Sequence, residues 1–168
     1  MILPFSTQLN GKPTYFVEKI WSSLYELYKE DEKYFVPNLY YACLDRGFQN
    51  MYPHKPKLHT IREDKNDRWH AGKMIDFFIN CRQKDMFRFA PVMPVVSTQE
   101  VFMTYAFNDV IQISIDGREL FGHEREDFAI NDGFDNWYDF FDYFYPKIKA
   151  NPKEFFKGKI IHWTDLRY

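Results

Sequence analysis

Lys57, Thr60 and Arg62 place an amine, a hydroxyl and a permanent cation within a few positions of one another. Such a Lys-x-x-Thr-x-Arg set could anchor the edge of a base or a phosphate. With its lysine uncharged, it could also help to hydrolyse an amide. Lysine has a reference pKa near 10.4, so it must lose its charge before it acts as a base or nucleophile. Burial and nearby cations, here Lys55 and Arg62, push in that direction. Taken alone, Lys57 also reads as a surface lysine. Arg62 offers a planar fork to phosphate or carboxylate, or an ion pair to Glu63, Asp64 or Asp132. Arg68 and Trp69 could stack on a base; Trp69 equally reads as a lid over the core. His59 and His162 are the histidines to watch near the set. None of the histidines has metal-ligand spacing, so no metal and no cofactor are expected. The two cysteines, Cys43 and Cys81, read as free thiols.

Backbone geometry constrains this chemistry. In one flat strand, Lys57, His59 and Ile61 would face one side, and Leu58, Thr60 and Arg62 the other. Lys57 and Thr60 can share a pocket only if the chain turns between them.

The elements that must position these residues follow from hydrophobic period. Met1 to Gly11 reads as a short strand and a turn. Phe16, Ile20, Leu24 and Leu27 recur at helical spacing, which predicts a helix over 14–29 with Pro13 in its first turn. Residues 31–56 read as a helical or irregular insertion. After Gly72 the pattern turns to strands, at Lys73–Cys81, Met86–Ala90, Val95–Phe107 and Val110–Ile115. Asp116-Gly117 supplies a turn towards Leu120. A helix is expected over Glu124–Ile130, with Gly133 as its C-cap. A second, over Trp137–Phe144, should end before Pro146. A last strand spans Lys159–Trp163. The expectation is a mixed α/β (α+β) single domain over 1–168, built on a curled sheet or small barrel.

Composition narrows the class. The chain has 168 residues and a formal net charge of -2, which argues against a protein gripping duplex DNA over many phosphates. A local basic pocket for one nucleotide remains compatible with that balance. Aromatic residues make up 20%, so the core should be built largely from rings. The N-terminus lacks the basic start and long apolar run of a signal peptide, and no run is long enough for a membrane span. A cytoplasmic protein without membrane contact is expected.

The Lys57-x-x-Thr60-x-Arg62 set, the turn at Gly72, and Ala129-x-x-Asp132-Gly133-Phe134 backed by Trp137 and Phe144 together resemble the ASCH domain. This family of PUA-like barrels is matched over roughly Lys57 to the C-terminus. The resemblance implies a small curled β-barrel of the PUA-like type with flanking helices. It also implies binding of RNA or of a modified nucleotide or nucleoside. One branch of the family hydrolyses the acetyl amide of acetylcytidine. By position, Lys57, Thr60 and Asp132 would be its catalytic residues, with Arg62 supporting. His59, Arg68 and Trp69 are the further substrate-binding candidates. Asp132 stands where that branch has glutamate. It is shorter by about 1.5 Å, and a misplacement of about 1 Å can cost roughly a hundredfold in rate. A carboxylate here would also hold Lys57 charged, which suits an anchor better than a base. Binding is therefore the first reading, acylated-nucleoside hydrolysis the second, and a ligand-free protein-interaction domain the third.

Overall fold

The computed structural model describes residues 1–29, 31, 36–52, 54–106 and 110–168. Strand β1 (Ile2–Phe5) alternates exposed and buried residues, with Leu3 and Phe5 inward. A two-stranded hairpin follows, β2 (Gln8–Leu9) and β3 (Lys12–Pro13). Asn10 and Gly11, at φ 50° and 76°, form its turn, as the twist of a tight hairpin requires. Pro13 thus closes the hairpin instead of opening a helix. Thr14 fixes that junction: its N–H donates to Thr7 O and its hydroxyl to Ser6 O. Helix α1 (Phe16–Tyr28) starts only beyond Tyr15, and buries Val17, Ile20, Trp21 and Leu24.

Helix α2 (Pro37–Asp45) lies in the expected insertion, with Pro37 in its first turn. Tyr34 and Phe35, apolar landmarks of that stretch, lie outside the described residues. Cys43 is buried on α2 and Cys81 half-buried; both are free thiols. Burial pushes the Cys43 thiol up to about 11.

Strand β4 (His59–Arg62) comes next, then β5 (Met74–Ile79), which pairs in parallel with β1. Strands β6 (Phe87–Arg88) and β7 (Met93–Pro94) pair antiparallel with β5. Strand β8 (Ser97–Ala106) buries Ser97, Gln99, Val101 and Met103 in alternation. Phe107, its expected end, is outside the described residues. Strands β9 (Val110–Ile115) and β10 (Arg118–Glu119) follow around the Asp116-Gly117 turn. Helix α3 (His123–Asn131) leads to α4 (Trp137–Ala150), and β11 (Phe155–His162) ends the elements. Helix α4 runs through Pro146 rather than stopping before it. Proline inside a helix costs about 3 kcal/mol, but Ile148 is fully buried on the same stripe as Phe140 and Phe144. That packing holds the last turn in place.

The largest sheet has the order β10-β9-β8-β11-β4, so β4 is an outermost strand. Strand β11, which lies between β8 and β4, is covered on both faces. Ile160 joins a cluster with Val101, Ile113, Phe128, Phe140 and Phe144 of β8, β9, α3 and α4. Ile161 and Trp163 join a second cluster with α1, β1 and β5. Trp163 meets Phe5 and Phe77 edge-on at 6.3 and 5.3 Å between ring centroids. The expected aromatic core is present, in an α+β architecture of four helices and several sheets among the described residues. No closed barrel is formed among them. Likewise no described helix is long and apolar enough to cross a membrane.

Candidate functional site

The chain does bend ahead of β4. Lys57 and Leu58 precede the strand, and their N–H groups donate to Lys19 O on α1 (2.9 Å) and Asn131 O on α3 (2.8 Å). Lys57 is therefore carried off the strand's alternation, and its side chain lies in the interior at 1% exposure.

Its partner comes from the end of α3. That helix stops at Asp132 in a Schellman motif: Gly133 N–H donates to Ile130 O and Phe134 N–H to Ala129 O. Gly133 takes φ 90°, which only glycine adopts readily. A Cβ there would stand 2.8 Å from Lys57 Cδ, so the lysine stem lies directly against the cap. Lys57 Nζ donates to Asp132 Oδ1 at 2.9 Å and also to the Asp132 carbonyl. Lys19 Nζ donates to Gly133 O at 2.8 Å and to Asp135 Oδ1 at 2.5 Å. Two cations thus meet the negative end of α3.

Asp132 Oδ1 gathers three neighbours. Besides Lys57 it accepts from Ile61 N–H at 3.2 Å, and His59 Nδ1 lies 3.6 Å away. Oδ2 forms no hydrogen bond with a described residue. Burial alone would raise the Asp132 carboxyl, but the Lys57 charge and His59 outweigh it and hold the group below the usual carboxylate range. For Lys57 the balance goes the other way: burial dominates over Asp132 and lowers the ammonium to about 8.

Lys57, Thr60, Arg62 and Asp132 line one cavity of about 30 Å³, with Phe16 and Phe134 among its apolar walls. That is room for a water molecule or a small polar group. Thr60 is 3% exposed, and its hydroxyl makes no hydrogen bond with a described residue. Arg62 Nη2 donates to Pro4 O at 2.6 Å and the guanidinium lies over the Phe5 ring, yet Nε is buried without a partner among the described residues. No described carboxylate forms an ion pair with Arg62, which removes the alternative reading of that residue as half of a salt bridge to Glu63, Asp64 or Asp132.

A groove of about 190 Å³ adjoins this cavity and shares Leu9, Phe16 and Phe134 with it. Its rim carries Asp135, Asp139 and Asp142 against Lys12 and Lys19. Lys12 bridges from the hairpin to Asp139 at 2.9 Å.

The other sequence candidates fall elsewhere. His59 is fully buried and does not line the cavity; its ring stacks on Phe128 at 5.3 Å and its Nε2 meets Tyr168 Oη at 2.7 Å. Trp69 belongs to the core cluster of α1, β1 and β5, and Arg68 is exposed, its N–H donating to Asp64. Neither is part of the cavity. His162 is fully buried beside His59, and burial lowers it to about 3. Among the described residues no group of three or more His, Cys, Asp or Glu is placed to hold a metal ion. Sequence reasoning missed Tyr168, Asn131 and Lys19, whose roles arise only from contacts across the fold. Comparisons with family models, with curated proteins and with solved structures return no match to this chain.

Proposed function

We propose that the chain is a binding module for a single nucleoside or modified nucleotide, held by its base. The observation that carries this reading is the cavity in which Lys57, Thr60, Arg62 and Asp132 converge, with Arg62 Nε left without a partner among the described residues. Asp132 Oδ2 can accept from a ring or exocyclic N–H. Arg62 Nε can donate to a carbonyl, and the Thr60 hydroxyl can do either. A pyrimidine edge such as that of cytidine presents both kinds of group side by side. The inner cavity takes the polar edge, and the adjoining groove takes the ring between Phe16, Phe134 and the hairpin.

The rim favours a free nucleoside over an RNA strand. A phosphate backbone crossing it would meet Asp135, Asp139 and Asp142, of which two already pair with Lys19 and Lys12. The ASCH resemblance belongs to this same proposal. Its PUA-like curled barrel is supported by residues 93–106, which pass from pairing with β5 to pairing with β11, as a strand does when it turns a corner between sheets.

The test is Thr60→Val. The hydroxyl has no hydrogen-bond partner among the described residues, so thermal stability should stay within about 0.5 kcal/mol of the parent. Cytidine affinity, by calorimetry, should fall about tenfold, the effect of one hydrogen bond to a buried site. Equal cytidine affinity in parent and variant would remove Thr60, and with it the cavity, from recognition.

Hydrolysis of an acylated nucleoside is the second reading, favoured by the lowered Lys57. A lysine near 8 is partly neutral at physiological pH and can accept a proton. Release of cytidine from acetylcytidine should then rise with pH and level off above about 8. No turnover at high protein concentration across pH 6 to 9 ends this reading and leaves binding.

A further inference from the structure

Behind the cavity, a partly buried hydrogen-bond chain runs from α3 through Tyr168 back to the Asp132 carboxylate. Asn131 Nδ2 donates to Tyr168 Oη at 3.0 Å, and Tyr168 Oη lies 2.7 Å from His59 Nε2. A phenol has one proton to give. Asn131 presents a donor to it, so the Tyr168 proton goes to His59 Nε2. That nitrogen is then the acceptor, and the proton of a neutral imidazole must sit on Nδ1. Nδ1 has no full hydrogen bond, and lies 3.6 Å from Asp132 Oδ1.

We propose that His59 is a positioning residue: Asn131 and Tyr168 fix its tautomer so that Nδ1–H faces Asp132 Oδ1, and the second carboxylate oxygen stays an acceptor aimed at the ligand. The proposal rests on the binding reading above for its ligand, but not for its geometry. It gives His59 a role without substrate contact. It also explains why a buried histidine and a half-buried tyrosine meet beside a pocket neither of them lines. The groups facing His59 are Phe128 from α3, Asp132 at the end of that helix, His162 from β11, Lys57, and Tyr168. Of these, Asp132 favours a charged imidazole, while Lys57 and burial oppose it, burial most strongly. The neutral ring is the outcome, consistent with Tyr168 donating to it.

Two ligand-free measurements decide the matter. Nitrogen-15 shifts of the His59 ring should show Nδ1 protonated and Nε2 unprotonated from pH 6 to 8. The Nε2–H tautomer, or an imidazolium, would overturn the proposal. In Tyr168→Phe the tautomer should mix or the ring become charged. A ring unchanged in that variant would also overturn it.

The carbon-13 shift of the Asp132 carboxyl reads the consequence. Asparagine can hold its amide N–H near the place of Nδ1–H, so His59→Asn should leave the carboxyl titrating as in the parent. His59→Leu should raise its midpoint by about one pH unit, a tenfold change in proton affinity. Equal titration in the leucine and asparagine variants would mean that His59 only fills space. Should the parent fail to bind cytidine while these shifts behave as stated, the nucleoside reading falls and the positioning role stands.

Discussion

Asp132→Ala is expected to destabilise the fold by about 3–5 kcal/mol, the cost of leaving a buried charge without its partner. Lys57 is 1% exposed, and its ammonium would keep only the carbonyl of residue 132 and the face of the Phe16 ring. Ile61 N–H would lose its acceptor as well. For a chain of this length that loss lowers the melting temperature by on the order of 10 °C. Denaturant unfolding of parent and variant measures it, and a cost below about 1 kcal/mol would show that the pair is not dry. The double replacement Lys57→Met with Asp132→Leu should recover most of the loss, because an apolar pair of similar volume needs no charge compensation.

The pair also has a signature in pH. The folded pKa of Lys57, about 8, lies below its unfolded value. Between the two the unfolded chain holds more protons, so this site makes stability rise as pH rises from about 8 towards about 10.4. Asp132 is lowered, so its contribution is present above the ordinary carboxylate range and is lost as pH falls through its folded value. The double variant should lose both slopes.

Gly133→Ala is expected to cost about 2–5 kcal/mol and to abolish cytidine binding. Two separate effects add. A non-glycine residue at φ 90° is strained by about 1–2 kcal/mol. The new Cβ would stand 2.8 Å from Lys57 Cδ and 3.0 Å from Phe16 Cε1, both packed side-chain atoms rather than free ends. Overpacking of that kind costs a further 1–3 kcal/mol or so. Relief requires Lys57 to move, which takes its ammonium from Asp132 and reshapes the cavity. Calorimetric titration alongside thermal unfolding checks both parts. Full binding in a destabilised variant would separate Gly133 from the pocket.

Local pattern carried most of the secondary structure. The apolar stripe from Phe16 to Leu27 is a strong helical signal, and the alternation in β8 is a strong strand signal. Both elements lie where that spacing puts them. Pro13 misled because a proline serves a helix start and a hairpin end alike. The preceding Asn10-Gly11 was the better guide. Pro146 misled because Ile148 packs two residues beyond it, and burial of that kind depends on what α4 faces. The parallel pairing of β1 with β5 is invisible to local pattern, since the two strands lie about seventy residues apart.

The site divided along the same line. Lys57, Thr60, Arg62 and Asp132 were named from spacing and resemblance, and they meet in one cavity. His59 was named for the wrong reason: strand alternation sends it to the face opposite Thr60, where it meets Phe128 and Tyr168. Trp69 read both as a stacking platform and as a lid over the core, and it is a core ring. Nothing near Tyr168 in sequence hints that its hydroxyl reaches α3 and β4.

One consequence of the Asp132 contacts reaches beyond ligand recognition. An outermost strand ordinarily offers its unpaired amides to any extended segment that comes alongside. Here Ile61 N–H is taken by Asp132, and the amides of Lys57 and Leu58 just ahead of it are taken by Lys19 and Asn131. The carboxylate that shapes the pocket therefore also plugs this border of the sheet. Losing it would leave a strand able to recruit a neighbouring molecule, so self-association would accompany loss of stability.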